Sequence, residues 1–343
     1  MEILRTEGIW GGLDDATRGQ AAAVERVRAD LAHVIDPRFY TLPDADRVRT
    51  LEALPLEFVQ EFFFLILFRS VLEHIDLPRT ALDVCSELNF CIKGTITAAD
   101  NLFDDQDKSL LPLNTGAGAR FASILQLMTF ERLLRRALDR GVENAVFTTE
   151  SARSVAQELL SRMASIGELE GSEEGGVEAI MSPDQMVEDV HRVRGGALFE
   201  LAFVAPRLVR DGPAREILDR AEKAISRLGT AFQIVDDLTD FEFDLQRGSH
   251  NLLTAEIHHN GSPSQVAALR EFREGGEVPE GAVEESFLGS ARAVLDRGRA
   301  EARRSLTELH ELGFWFPPRV SNDLVHAIVG LDGVARMQAL ADG

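Results

Sequence analysis

The sequence predicts an all-α chain. Three observations carry that reading: apolar residues recur at helical spacing through long segments, stretches of alternating period between turn residues are nearly absent, and two helix starts bear the same signature. Ser182-Pro183-Asp184-Gln185 and Ser262-Pro263-Ser264-Gln265 each offer a Ser cap, Pro at the first helical position and Gln three residues past the cap. In order, the amphipathic segments run 15–35, 44–53, 56–76, 80–106, 117–140, 149–166, 183–210, 213–246, 263–274, 283–312 and 319–340. The segment from Leu56 to Ile75 carries Phe58, Phe62, Phe63, Phe64, Leu65, Leu67 and Phe68 on more than one face, so it is expected to be deeply buried and to line or back a cavity. Gly167 to Gly176 reads as an acidic, glycine-rich loop, Asn260-Gly261 and Gly275-Gly276 as turns, and Pro317-Pro318 as the break before the last helix.

The 343 residues show no linker or repeat, so one helical domain spanning 1–343 is expected, with 1–40 as a peripheral portion. An apolar fraction of 45% supports a sizeable core, and 57 acidic against 36 basic residues, a net charge of −21, opposes binding to nucleic acid. The start Met1-Glu2-Ile3-Leu4-Arg5 has no basic region followed by an apolar run, and the longest apolar stretch, Phe62 to Phe68, is too short to span a bilayer. A cytoplasmic protein without stable membrane insertion is expected. Cys85 and Cys91, six apart on one predicted helix, are expected to be buried, reduced thiols.

Two aspartate-rich stretches carry chemistry: Asp100-Asn101-Leu102-Phe103-Asp104-Asp105-Gln106-Asp107 and Asp236-Asp237-Leu238-Thr239-Asp240. Asp100 with Asp104, and Asp236 with Asp240, stand at i and i+4, which stacks each pair of carboxylates on one helix face for a hard cation. Around the second stretch, Gln233, Asp236, Asp237, Asp240 and Asp244 cluster on one side, and Leu228, Phe232 and Val235 form an adjoining apolar stripe. The alternative for such a stretch in an acidic chain is a solvated helix face.

Gly229 through Asp240, Gly-Thr-Ala-Phe-Gln-Ile-Val-Asp-Asp-Leu-Thr-Asp, resembles the second acidic motif of the trans-polyprenyl diphosphate synthases, members of the class I isoprenoid (terpenoid) synthase family. The stretch at Asp100 is similar to their first motif, with Asn101 replacing the second Asp. Arg194-Gly195-Gly196-Ala197-Leu198-Phe199 resembles their Lys-Thr-x-x-Leu-Phe segment, with Arg194 replacing a diphosphate-binding lysine. A guanidinium can grip phosphate through paired donors; the alternative is a surface Arg balancing Glu188 and Asp189.

The resemblance implies an antiparallel helical bundle around a deep apolar pocket, three Mg²⁺ ions, an allylic prenyl diphosphate substrate and a homodimer. On that reading Asp100, Asp104, Asp236 and Asp240 are catalytic metal ligands, with Asp105, Asp107, Asp237 and Asp244 as further metal or supporting candidates. Arg194 and Gln233 hold the diphosphate, and Lys108, Arg247 and His250 are additional basic candidates. Phe90, Phe103, Phe199, Phe203 and Phe232 are candidates for cation–π stabilisation of a carbocation or for ordinary core packing, and Thr95 stands where the family often regulates product length.

The chain departs from the family in its basic residues. The window Leu51-Glu52-Ala53-Leu54-Pro55-Leu56-Glu57-Phe58 lacks a Gly-Gly-Lys-x-x-Arg stretch, and Lys108 stands where paired arginines are usual. Two diphosphates without those cations would repel strongly. The sequence alone therefore favours ionisation of one allylic diphosphate followed by cyclisation or elimination. Chain elongation with a displaced isopentenyl site at Arg69, Arg79 or Lys93 is the alternative, and a non-catalytic partner subunit the third reading.

Overall fold

A computed structural model describes residues 13–41, 56–103, 106–173, 175–275, 278–279, 281–314 and 317–321, without the side chains of 56 and 57. The described residues contain no strand, and an isolated bridge joins Tyr40 to Leu113. The helices are α1 (Asp14–Ala29), α2 (Leu56–His74), α3 (Arg79–Phe103), α4 (Ala119–Glu143) and α5 (Thr149–Gly171). A π-helix (Met186–Gly196) precedes α6 (Ala197–Val204), followed by α7 (Pro213–Thr239), α8 (Phe241–Arg247), α9 (Leu252–Asn260), α10 (Pro263–Gly275) and α11 (Leu288–Glu311). The described residues cluster into two compact units: one comprises those within 13–159 and 201–218, the other those within 160–200 and 219–321.

In the unit containing α1 to α4, α1 packs on α2 and α3, and α3 packs along α4. Gly94 permits the last contact, because a Cβ there would lie 2.1 Å from the Phe130 ring. The Phe-rich α2 is buried as its composition requires, with Phe62, Phe63, Ile66 and Leu67 all inside. Glu87, 1% exposed, is held by Arg26 Nε at 2.5 Å and Arg140 Nε at 2.8 Å, which ties α1, α3 and α4 around one neutralised charge. Cys85 and Cys91 are free, fully buried thiols.

In the other unit, α11 lies against α7, where a Cβ added at Gly298 would lie 3.0 Å from Val235 Cγ2 and Ser305 Oγ donates to the Ala224 carbonyl at 2.6 Å. Both expected capping boxes form, at Ser182 with Gln185 and at Ser262 with Gln265.

Five expectations are corrected. Gly167 to Gly171 belongs to α5 and not to the expected loop. The segment 183–210 is not one α-helix but passes through the π-helix. The segment 213–246 breaks at Asp240, whose φ of −99° and ψ of 8° leave the helical region. The segment 283–312 breaks at Phe287, between Ala282–Ser286 and α11. Helix α9 was not expected, and it starts at Asn251, whose Oδ1 accepts from the Leu253 and Thr254 N–H groups. The expected helix 44–53 and most of 319–340 lie outside the described residues. No described helix is long and apolar enough to cross a membrane.

Candidate active site

The second acidic stretch closes α7. Asp240 ends the helix, yet its N–H still donates to the Asp236 carbonyl at 2.9 Å, so the one-turn spacing survives the break and both side chains are exposed. Asp237 turns the other way and is 3% exposed. Its Oδ2 accepts from the Leu252 N–H at 2.5 Å and lies 2.8 Å from His191 Nε2. Asn251 completes the attachment: Nδ2 donates to the Asp237 carbonyl at 2.7 Å and to Asp244 Oδ2 at 2.9 Å. Burial, and then repulsion from Asp237, push the Asp244 carboxyl up to about 8. Asp237 is thus engaged inside the protein, and Asp244 is half-buried and held by Asn251.

The first stretch shows the same division. Asp100, at the end of α3, is exposed, and Asn101 is 3% exposed. Asn101 Nδ2 donates to the Lys108 carbonyl at 2.8 Å and its Oδ1 accepts from the Lys108 N–H at 3.1 Å. The second position of each acidic stretch, Asn101 or Asp237, therefore faces inward and pins the segment that follows. Asp104 and Asp105 lie outside the described residues, and Asp107 is exposed.

Lys108 lines a cavity of about 230 Å³ with Asn101, Asp107, Ser109, Thr115 and Gln126. Lys93 is near enough to feel Glu61, Lys108 and Asp100, and burial lowers its pKa from the usual lysine value. Arg69, proposed above as a displaced phosphate ligand, is 1% exposed and spent on Glu73 at 2.9 Å, Asp83 at 3.1 Å and Ser86 Oγ at 2.8 Å. Arg79 is exposed and pairs with Asp83 at 3.6 Å.

Arg194 lies on the π-helix. Its Nε is 2.7 Å from Glu170 Oε1 and its Nη2 is 2.5 Å from Glu173 Oε1. The partners thus come from the end of α5 and the turn after it, not from Glu188, which pairs with Arg192 at 2.5 Å. The next residue, Gly195, meets α7 backbone to backbone: a Cβ on Gly195 would lie 2.2 Å from the Gly229 carbonyl oxygen and 3.0 Å from Gln233 Cβ. This explains the glycine that opens the Gly229–Asp240 motif, and it brings the backbones carrying Arg194 and Gln233 together.

Phe199 and Phe232 stack beside this crossing with centroids 6.3 Å apart. Phe90 is fully buried between Phe62 and Phe130, at 5.8 and 5.5 Å, which is core packing. Phe203 is fully buried and Phe103 is 40% exposed. Thr95 Oγ1 donates to the Cys91 carbonyl at 3.0 Å. Arg247 is exposed with its guanidinium 5.1 Å above the Phe243 ring, and His250 has its pKa lowered by burial. His191, Asn251 and Glu173 were not anticipated as site residues. The Asn251 cap was a readable local signal, whereas His191 and Glu173 gain meaning only from partners distant in sequence.

Among the described residues no group of three His, Cys, Asp or Glu side chains is gathered into a metal site. The outward pair Asp236 and Asp240 nonetheless fits Mg²⁺, which needs few carboxylates when phosphate oxygens and water complete its shell.

No protein-family model matches this chain, and no curated protein matches it. Solved structures do. A geranylgeranyl pyrophosphate synthetase from Pyrococcus horikoshii matches with a TM-score of 0.58 and 13% identity, over 95% of this chain and 99% of that one. A decaprenyl diphosphate synthase from Rhodobacter capsulatus matches with a TM-score of 0.60 and 16% identity, over 92% and 97%. A geranylgeranyl pyrophosphate synthetase from the archaeon Geoglobus acetivorans matches with a TM-score of 0.57 and 14% identity, over 90% and 99%. The chain has the all-α isoprenoid synthase fold of these enzymes.

Proposed function

We propose that the chain is a Mg²⁺-dependent enzyme acting on an allylic prenyl diphosphate. The observation that carries this reading is the exposed pair Asp236 and Asp240, one turn apart, on the helix whose crossing brings the backbones bearing Arg194 and Gln233 together. Asp100 with Asp104 and Asp236 with Asp240 serve as the metal ligands. Arg194, Gln233, Lys108 and Arg247 serve the diphosphate, and Phe199 and Phe232 form part of the apolar wall that keeps water from the cation left by ionisation.

The structural relatives are prenyl diphosphate synthases, which shifts weight from the single-substrate reading towards chain elongation. Lys93 and Lys108 support this, as two neighbouring ammonium groups beside the first acidic stretch could receive a second diphosphate. The cyclising or eliminating enzyme is the second reading, supported by the burial of Arg69 and by Lys108-Ser109 standing directly after Asp107 where paired arginines are usual. The exposed stripe Phe121, Ile124 and Met128 on α4 supports a homodimer, and the protein is taken to act in the cytoplasm.

The test is incubation with Mg²⁺ and allylic diphosphates of several lengths, with and without isopentenyl diphosphate. A longer acyclic diphosphate establishes elongation. Hydrocarbon and free diphosphate from the allylic substrate alone establish the second reading. Intact substrate at every length defeats both and leaves the non-catalytic subunit.

A further inference from the structure

We propose that Glu170 and Glu173 are positioning residues that hold the Arg194 guanidinium ready for diphosphate, an inference that rests on the diphosphate-binding reading of Arg194. Nε and Nη2 lie on the same edge of a guanidinium, and the two glutamates take that edge at 2.7 and 2.5 Å. Among the described residues no third carboxylate pairs with Arg194. The two close ion pairs, which are not aligned hydrogen bonds, set the planar fork from one edge, and a fork so oriented can turn its other donors to a phosphate oxygen.

Glu173 is itself fixed. Its side chain is 5% exposed, and its Oε2 accepts the His250 N–H at 3.0 Å. The turn that carries it is closed by the Gly176 N–H donating to the Glu173 carbonyl at 2.8 Å and the Val177 N–H donating to the Gly248 carbonyl at 2.8 Å. One buried carboxylate thus links Arg194 to the segment that follows the second acidic stretch. A long Arg side chain loses conformational freedom on binding an anion, and a support that removes this freedom beforehand strengthens binding. The opposite expectation is that two carboxylates merely neutralise Arg194 and compete with the anion.

The two expectations differ in sign. Inorganic diphosphate is titrated calorimetrically into the full chain with saturating Mg²⁺, for the wild type, R194Q, E173Q, E170Q and the double variant R194Q/E173Q, and each unliganded melting temperature is recorded. R194Q is expected to lose binding and E173Q to weaken it about tenfold or more, as expected for loss of a close, buried charged partner. The more exposed E170Q is expected to weaken it less, and it keeps the test open if E173Q does not fold. E173Q should add no loss in the R194Q background, because its effect passes through Arg194. Unchanged or tighter binding in folded E173Q or E170Q overturns the positioning role while leaving Arg194 as a ligand. Unchanged binding in R194Q overturns the reading of Arg194 itself.

Discussion

Gly195 and Gly229 touch backbone to backbone, each so close that a Cβ would stand 2.2 Å from the other's carbonyl oxygen. Neither obstacle is a side-chain end that could swing away. Gly229→Ala and Gly195→Ala are therefore each expected to destabilise the fold by about 1–3 kcal/mol through overpacking, seen as a lower denaturant midpoint. Gly167→Ala in α5, where a Cβ would meet nothing within 4 Å, is expected to stabilise by ~0.5–1 kcal/mol. Equal effects at Gly167 and Gly229 would show that the crossing is looser than described.

The opposite orientations of Asp236 and Asp237 predict separable variants. Asp236→Asn and Asp240→Asn should fold normally and lose most of the rise in melting temperature produced by Mg²⁺ with inorganic diphosphate. Asp237→Asn should lower stability by about 1–3 kcal/mol, because it disturbs a buried hydrogen-bonded carboxylate. It should retain much of the ligand-induced rise. Equal loss of that rise in all three variants would assign Asp237 to the metal.

Restoring aspartate at the second position of the first stretch should harm the protein. A carboxylate at 101 accepts the Lys108 N–H but cannot donate to the Lys108 carbonyl, and it faces that oxygen at 2.8 Å. Asn101→Asp is expected to cost about 1–3 kcal/mol and to raise the rate of tryptic cleavage after Lys108. Stronger Mg²⁺ binding without loss of stability would refute this account.

Burial raises the Cys85 thiol to about 12 and the Cys91 thiol well above its usual value. Because the folded pKa lies above the unfolded one, the contribution is complete below about pH 9 and is lost as pH rises towards 12, by at most about 1.4 kcal/mol per pH unit for each thiol. Melting temperature should fall over that range, less steeply in Cys85→Ala/Cys91→Ala. Both thiols should resist iodoacetamide at pH 8 until the protein is unfolded.

Much of the fold was legible because its signals are local. The capping boxes at Ser182 and Ser262 form from side chains and backbone three residues apart, so tertiary context has little scope to alter them. The outward spacing of Asp236 and Asp240 follows from helical periodicity and outlasts the break at Asp240. Helix α9 escaped notice although Asn251 is a good cap, since the short run after it, Leu252 to Ala255, is buried on all sides and shows no amphipathic period.

By itself the sequence determined the helical class, most helix positions, the two pairs of spaced carboxylates and the burial of the Phe-rich α2, all consequences of residue type and spacing along one chain. Only the tertiary structure decided that the second position of each acidic stretch turns inward, that Arg194 rests on Glu170 and Glu173, and that the helix bearing Arg194 adopts π geometry beside Gly229. These depend on Lys108, His191, Leu252 and Glu173, residues on other segments. A buried polar group takes its role from the partner that replaces its lost water, and folding selects that partner.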